Sequence, residues 1–200
     1  MDLNSDAQID QDWIKKQLHK ALELREELFD SAFFRLIHGE ADGLPGVVID
    51  RFGANAVFQP NSSWADCFKE QILDSLVSLG IQNIVLNGMS RARKLEGLDQ
   101  TSEVVRGAIE KPIAVPMNGA VYFADILNGQ KTGLFFDQRV NHEFASKLSK
   151  NREILDVFSH VGGFGLATLV AGAKSATLVD SSQNALELAQ KGAEKSGVGD

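Results

Sequence analysis

The sequence predicts an α/β protein in three parts: an N-terminal helix, a small α+β domain, and the first strands of a parallel sheet. Three observations predict this. Apolar residues recur at helical spacing within residues 11–29. Short apolar runs broken by glycine and proline then follow to about residue 124. After residue 128 the order becomes strand, helix, strand, helix, which is typical of a parallel α/β sheet.

Composition narrows the class of protein. The 200 residues suffice for one large or two small domains, and 44% apolar residues predict a packed core. The net charge of −7 means that any nucleic-acid contact would need a local basic patch. One cysteine, Cys67, and four scattered histidines predict neither a disulfide nor a metal site. With no secretory signal or membrane-length apolar run, we expect a cytoplasmic location.

The three predicted regions have the following bounds. Residues 1–30 hold the N-terminal helix, from about Gln11 to Phe29, with Asp10 as its cap. Residues 31–124 form the α+β domain, with a strand meander in 33–59, a helix over 64–79 and further strands up to 127. Residues 125–200 begin the parallel sheet, with strands over 154–158 and 175–180.

The stretch "EILDVFSHVGGFG" (153–165) places Asp156 within an apolar strand and then three glycines in one turn. Ligands of parallel sheets bind beyond the carboxyl ends of the strands, so this turn lies at the ligand edge. Glycines permit positive φ and a close approach of a ligand to the backbone. The spacing is neither G-x-G-x-x-G nor a phosphate-binding Walker loop, which argues against a dinucleotide or nucleoside triphosphate.

The second strand ends on Asp180, whose carboxylate can accept hydrogen bonds from the two hydroxyls of a ribose. Two acids with bare N–H groups between them suit a nucleoside that carries positive charge and no phosphate. S-adenosylmethionine fits, with Asp156 near its methionine end. The alternative is an ordinary α/β turn with solvated acids.

The linking segment, "NGQKTGLFFDQRVN" (128–141), is too apolar for a plain linker. We expect it to lie against the cofactor site, with its polar side chains as candidates. Arg139 would pair with a carboxylate at the cofactor site, either that of the cofactor or that of Asp137. The alternative is that Asp137 and Arg139 form a purely structural ion pair at the domain boundary.

Three motifs in this order resemble the RlmI-type (YccW-like) class I methyltransferases, which methylate large-subunit ribosomal RNA at the five-position of cytosine. They are "GEADGLPGVVIDRFG" (39–53), the linking segment, and "ILDVFSHVGGFG" followed by "LVDSS". The resemblance covers about residues 15–200. It implies a Rossmann-like methyltransferase sheet, S-adenosyl-L-methionine as cofactor, and large-subunit ribosomal RNA as partner, with neither membrane nor metal.

The resemblance also implies roles for individual residues. The methionine side of the cofactor would be lined by Asp156, Phe158, Ser159, Gly162, Gly163, Phe164 and Gly165. Asp180 and Ser181 would hold the ribose. The linking segment would close over the cofactor with Gln130, Lys131, Thr132, Gly133, Phe135, Asp137 and Arg139.

The sequence departs from the family pattern in four ways. His160 and Val161 replace a frequent Tyr-Thr pair, no PUA RNA-binding domain precedes the helix, and neither the Asp-Pro-Pro motif nor the late nucleophilic cysteine is present. We therefore expect a piece cut short at its C-terminus, with its catalytic nucleophile beyond residue 200 and no activity of its own. RNA contacts would come from the α+β domain or from a homodimer, and these alternatives stay open.

Two other functions compete with this interpretation. One is a methyltransferase for another target, such as guanine or a protein. The other is a non-catalytic RNA-binding module that keeps the fold without turnover. The best local basic patch is "SRARKLEGL" (90–98), with Arg91, Arg93 and Lys94, and the simpler interpretation of this patch is a solvated loop.

Overall fold

The structure is a computed structural model that describes residues 8–129 and 132–199. The chain divides into two compact units, with the boundary between Glu110 and Lys111. The observed mixture of helices, an open mixed sheet and a parallel strand pair confirms the predicted α/β class.

Helix α1 spans Gln11–Leu28 and ends one residue before its predicted end. Asp10 caps it, because its Oδ1 accepts a hydrogen bond of 2.9 Å from the N–H of Trp13, one of the donors that the first turn leaves without a helical partner. The helix buries one face, formed by Ile14, Leu18, Ala21 and Leu22, in the core of the first unit.

The first unit is built on a five-stranded sheet of spatial order β1-β2-β3-β4-β5. Only β3 and β4 pair in parallel, and the other pairs are antiparallel. Two helices make the crossover between β3 and β4, where the sequence predicted one helix over 64–79. The strands are β1 (Phe33–His38), β2 (Val47–Phe52), β3 (Asn55–Pro60), β4 (Asn83–Asn87) and β5 (Ser102–Arg106), and the helices are α2 (Ser63–Cys67) and α3 (Lys69–Ser78).

Two short elements complete the first unit. A 3₁₀ turn, Gly39–Asp42, follows β1. Helix α4 (Arg91–Leu95) lies in the stretch that was predicted as a solvated loop. Its Arg93 is only 4% exposed and donates to Asp66 and to the carbonyl oxygens of Pro60 and Asp99. The predicted basic patch therefore keeps only two exposed cations, Arg91 and Lys94.

The second unit begins with a hairpin of β6 (Ile113–Met117) and β7 (Ala120–Ala124). Its two-residue turn, Asn118-Gly119, has positive φ at both positions, as the hairpin twist requires. Strand β7 packs on a helix of the parallel part, where the N–H of Val121 donates to Ser196 Oγ at 2.8 Å. The hairpin therefore lies in the second compact unit, whereas the sequence predicted it as part of an α+β domain over residues 31–124.

The rest of the second unit forms a β-α-β-α arrangement. Strands β8 (Glu153–Val157) and β9 (Ser175–Val179) pair in parallel, and each is followed by its helix, α6 (Gly163–Val170) or α7 (Gln183–Lys195). Ser182 caps α7, since its Oγ accepts a hydrogen bond of 3.2 Å from the N–H of Ala185. The sequence analysis missed helix α5 (Arg139–Lys147), which follows a 3₁₀ turn at Phe136–Gln138 and packs on α6.

Helix α6 packs on one face of the β8–β9 pair, while the other face leaves apolar side chains in solvent. Leu155 is 67% exposed, and Val157 and Val179 are about half exposed. Among the described residues no helix is long and apolar enough to cross a membrane.

Candidate cofactor site

The carboxyl ends of β8 and β9 are neighbours, because Val157 pairs with Val179 in the parallel register. Just beyond this pair, the N–H of Ser159 donates to the carbonyl of Val179 at 3.1 Å. The turn after β8 is thereby tied to the end of β9. Residues 158–165 and Asp180 consequently lie at one edge of the sheet, as the sequence predicted.

The backbone of this turn alternates in handedness. Phe158, His160 and Gly162 have φ values of 61°, 49° and 81°. Non-glycine residues adopt such values at a cost of about 1–3 kcal/mol each and persist where the surrounding structure imposes them. The N–H groups of Ser159, His160, Gly162 and Gly165 already donate to oxygens of the protein, so the turn is held in this conformation by its own hydrogen bonds.

The three predicted glycines serve two different purposes. Of the three, only Gly162 has positive φ. The expectation that these glycines serve to permit positive φ is therefore right for Gly162 and wrong for Gly163 and Gly165. Gly163 and Gly165 are needed for close packing instead. A Cβ on Gly163 would lie 2.6 Å from the ring of His142, and one on Gly165 would lie 2.6 Å from Leu178.

Asp156 is buried at the end of β8, and its Oδ2 accepts a hydrogen bond of 2.9 Å from the N–H of Gly165. Burial raises the pKa of this carboxyl, the Gly165 N–H opposes the rise, and the charge of Asp180 adds to it. Asp156 therefore joins the end of the strand to the first turn of α6.

Asp180 has the opposite environment. Its two oxygens accept hydrogen bonds from the N–H groups of Ser182, at 2.9 Å, and His160, at 2.8 Å, and these bonds lower the pKa of the carboxyl. The group stays ionised at neutral pH. Because each carboxylate oxygen has a second lone pair, both oxygens can still accept from the hydroxyl groups of a ligand.

Two buried polar atoms near the turn lack partners. Ser159 Oγ and His142 Nδ1 have no hydrogen-bond partner among the described residues. His142 meets the ring of Phe164 edge-on, with centroids 4.5 Å apart, and burial lowers its pKa to about 4. A buried polar atom without a partner is uncommon in native structures and calls for an explanation such as an absent ligand.

The linking segment meets the turn at one described point. The ring of Phe135 lies edge-on to that of His160, with centroids 4.9 Å apart. The Thr132 hydroxyl is buried and donates to the carbonyl of Leu134, so it is already engaged within the segment. Asp137 is exposed. Gln130 and Lys131 lie outside the described residues.

Three further residues shape this site. His142 packs on the glycine turn, Asp125 accepts from the N–H of Asn128 and approaches Gly133 closely, and the His160 N–H binds Asp180. No local signal marks Asp125, and the sequence left open whether His142 and His160 approach the cofactor or are surface or turn residues.

Known proteins share both the sequence and the fold. A ribosomal RNA large subunit methyltransferase I of Aliivibrio fischeri is 40% identical over 193 residues, covering 93% of this chain and 48% of that protein. One of Vibrio vulnificus is 38% identical over 184 residues, covering 90% and 46%. A candidate S-adenosylmethionine-dependent methyltransferase from Streptococcus mutans aligns with a TM-score of 0.82 at 20% identity, covering 97% of this chain and 51% of that one. No family model matches the sequence.

The chain thus has the fold of S-adenosylmethionine-dependent methyltransferases, with a glycine turn and two strand-end carboxylates at its ligand edge. In sequence it is similar to proteins named ribosomal RNA large subunit methyltransferase I, which confirms the resemblance to the RlmI-type family predicted from the three motifs. The chain spans about half the length of the curated relatives that it matches.

Proposed function

We propose that this chain carries the S-adenosyl-L-methionine site of an RNA methyltransferase that methylates the five-position of a cytosine in large-subunit ribosomal RNA. The observation that carries the proposal is the pair of carboxylates, Asp156 and Asp180, at neighbouring strand ends with an alternating-handed turn between them. The relatives named ribosomal RNA large subunit methyltransferase I support the choice of substrate.

The residues present fit this cofactor. The N–H groups of Gly163 and Phe164, in the first turn of α6, precede the helical hydrogen bonds and suit the carboxylate of the methionine moiety. Asp180 is ionised and keeps acceptor capacity for the ribose hydroxyls. Ser159 Oγ is buried and lacks a partner among the described residues, so a ligand can supply one.

The proposed contacts divide the cofactor among three parts of the chain. The ribose is held by Asp180 and Ser181. The methionine end is held by Asp156, Phe158, Ser159, Gly162, Gly163, Phe164 and Gly165. The linking segment covers the cofactor through Gln130, Lys131, Thr132, Gly133, Phe135, Asp137 and Arg139.

When bound, the cofactor supplies an electrophilic methyl group on a sulfonium. The part of this chain in the reaction is to bind and orient that group. Asp156 fixes the turn through Gly165, and Asp180 fixes the turn through His160, so both carboxylates set the direction of the N–H groups between them. We propose that methyl transfer is an activity of the whole protein, located in the cytoplasm, with ribosomal RNA as its partner.

Calorimetry on the 200-residue chain tests the cofactor site. We expect S-adenosylhomocysteine to bind and NAD not to bind. Asp180→Ala should weaken the S-adenosylhomocysteine affinity by about 1–3 kcal/mol, because a charge-assisted acceptor is lost. The matched control is Glu187→Gln, which removes one exposed charge from the same helix-and-turn region and should leave the affinity unchanged.

The same titrations can contradict the proposal. Tight NAD binding would replace the cofactor assignment with a dinucleotide. Equal affinities for the wild type and Asp180→Ala would place the ribose elsewhere. Loss of affinity in Glu187→Gln would show that general surface charge, and not the strand-end carboxylate, governs the binding.

A further inference from the structure

The exposed face of helix α1 is cationic along its middle. Between Trp13 and Glu23 the exposed positions are Lys15, Lys16, His19 and Lys20. The opposite face is buried in the core, so these four side chains are held on one outer surface. No acidic residue interrupts this stretch, although the whole chain has a net charge of −7. These four residues are called here the α1 basic face.

The lysines of this face are available to a partner. Among the described residues, Lys15, Lys16 and Lys20 form no ion pair. The arginines nearby behave differently, since Arg25, Arg35, Arg93 and Arg106 each pair with a carboxylate. In the basic patch predicted at 90–98, the central residue, Arg93, is buried and paired with Asp66. The α1 basic face takes its place as the cationic surface of the first unit.

A groove of about 800 Å³ runs beside this face, between α1 and the 3₁₀ turn at Gly39–Asp42. Lys16 and Lys20 line it together with the half-buried Trp13. Two acids also line it. Asp42 is neutralised by Arg25, which donates to both of its oxygens at 2.7 Å, and Glu23 stands at the far end of the cationic stretch.

We propose that the α1 basic face binds the phosphate backbone of RNA. The choice of RNA over other polyanions rests on the function proposed above. Backbone binding needs cations that are exposed, clustered and not already paired, and it needs no base-specific geometry. The face meets these conditions with three lysines in six residues. It binds and orients RNA and takes no part in the methyl-transfer chemistry.

Fluorescence anisotropy with a labelled single-stranded RNA of 20 nucleotides tests the proposal. The variant is the triple substitution Lys15→Gln, Lys16→Gln and Lys20→Gln. Its matched control is Lys150→Gln, Lys191→Gln and Lys195→Gln, which removes the same charge from exposed positions of the second unit. Far-UV circular dichroism and S-adenosylhomocysteine titration of each variant report whether the fold and the cofactor site are retained.

We expect the α1 variant to lose at least about tenfold in RNA affinity in 50 mM salt, and the control to lose less than about threefold. The slope of log affinity against log salt should fall by about 2 in the α1 variant, since each phosphate contact on a single strand contributes about 0.7. Equal losses in the two variants, or unchanged affinity in the α1 variant, would overturn the proposal.

Two further outcomes separate this proposal from neighbouring ones. One outcome is that the α1 variant loses RNA affinity relative to its control while S-adenosylhomocysteine fails to bind the wild type. That result would contradict the proposed cofactor site and support RNA binding by the α1 basic face. If the wild type binds phosphatidylserine vesicles through these lysines and does not bind RNA, the face is a membrane surface and the proposal fails.

Discussion

The two units of this chain differ in how their buried polar groups are satisfied. In the first unit, the fully buried Asp50 accepts two hydrogen bonds from Arg35, and the buried Arg93 bonds a carboxylate and two carbonyl oxygens. In the second unit, Ser159 Oγ and His142 Nδ1 have no partner among the described residues. The first unit is a closed scaffold, whereas the second keeps unused polar atoms beside its glycine turn.

Backbone conformation follows the same division. In the described part of the first unit, only glycines have positive φ. The described part of the second unit has four non-glycine residues with positive φ, and two of them are asparagines, which tolerate the left-handed region in turns. The other two, Phe158 and His160, lie in the turn between the two carboxylates. Strain and unsatisfied polar atoms tend to cluster at binding sites, and their coincidence in this turn supports the cofactor site proposed above.

The largest expected effect concerns the scaffold. Arg35→Ala leaves the Asp50 carboxylate buried without its partner, which should lower the free energy of unfolding of the first unit by about 3–5 kcal/mol. Urea unfolding followed by tryptophan fluorescence measures this, since both tryptophans, Trp13 and Trp64, lie in the first unit. The control is Arg106→Ala, which removes a half-exposed cation from exposed acids.

Arg106→Ala should lower the free energy of unfolding by less than about 1 kcal/mol. Similar losses in the two arginine variants would show that Asp50 is not held by Arg35. The scaffold would then contain an unsatisfied charge, and the contrast between the units would disappear.

The next effect concerns pH and His142. Burial lowers its pKa to about 4, against about 6.5 in an unfolded chain. As the pH falls below about 6.5, the unfolded state takes up a proton first, so the second unit loses stability until about pH 4. The total loss is about 3 kcal/mol, at 1.36 kcal/mol per pKa unit. Thermal unfolding by circular dichroism between pH 7 and 4 measures it.

His142→Phe supplies the control for this titration, because it keeps a ring against the turn and has no proton to bind. Its stability should change little over the same range. The lowered pKa of Asp180 removes stability only at more acidic pH, and the raised pKa of Asp156 acts in the opposite direction. An equal pH slope in the wild type and the variant would assign the titration to another group.

A smaller effect concerns the contact between the turn and α5. Gly163→Ala places a Cβ 2.6 Å from the His142 ring, and we expect a loss of about 1–3 kcal/mol from overpacking. Combining it with His142→Ala removes the obstacle. The double variant should therefore be more stable than the sum of the two single losses predicts, by about 1 kcal/mol or more. Strict additivity in this cycle would mean that the ring and the turn are not in contact.

The sequence predicted the parts of this site that depend on strand order. Asp156 and Asp180 could be placed at one edge because parallel strands end on the same side. The glycine turn could be placed there for the same reason. What sequence reasoning could not supply is the conformation within the turn, since a phenylalanine and a histidine with positive φ contradict local propensity. Only the surrounding packing imposes these conformations.

Long-range packing explains the other misses. Helix α5 was not predicted, because its exposed Val140 and Phe144 and its buried His142 obscure the amphipathic pattern. Arg93 was predicted as a surface cation, since nothing local shows that two of its three partners, Pro60 and Asp66, lie about 30 residues upstream. The hairpin of β6 and β7 was placed in the α+β domain because its residues alternate in strand fashion, whereas it packs on α7 and lies in the second unit.

The smallest expected effect tests the strain in the turn. The Phe158 ring is 88% exposed, and its backbone has a φ of 61°. Phe158→Gly removes the strain and loses little buried surface, so the second unit should gain about 0.5–1 kcal/mol in unfolding free energy. The control is Val157→Gly, one residue earlier, where the φ is negative and glycine should cost about 0.5–1 kcal/mol. Circular dichroism thermal unfolding measures both. If Phe158→Gly is destabilising like its control, the ring supports the fold, and the left-handed turn does not mark a site whose geometry is kept for a ligand.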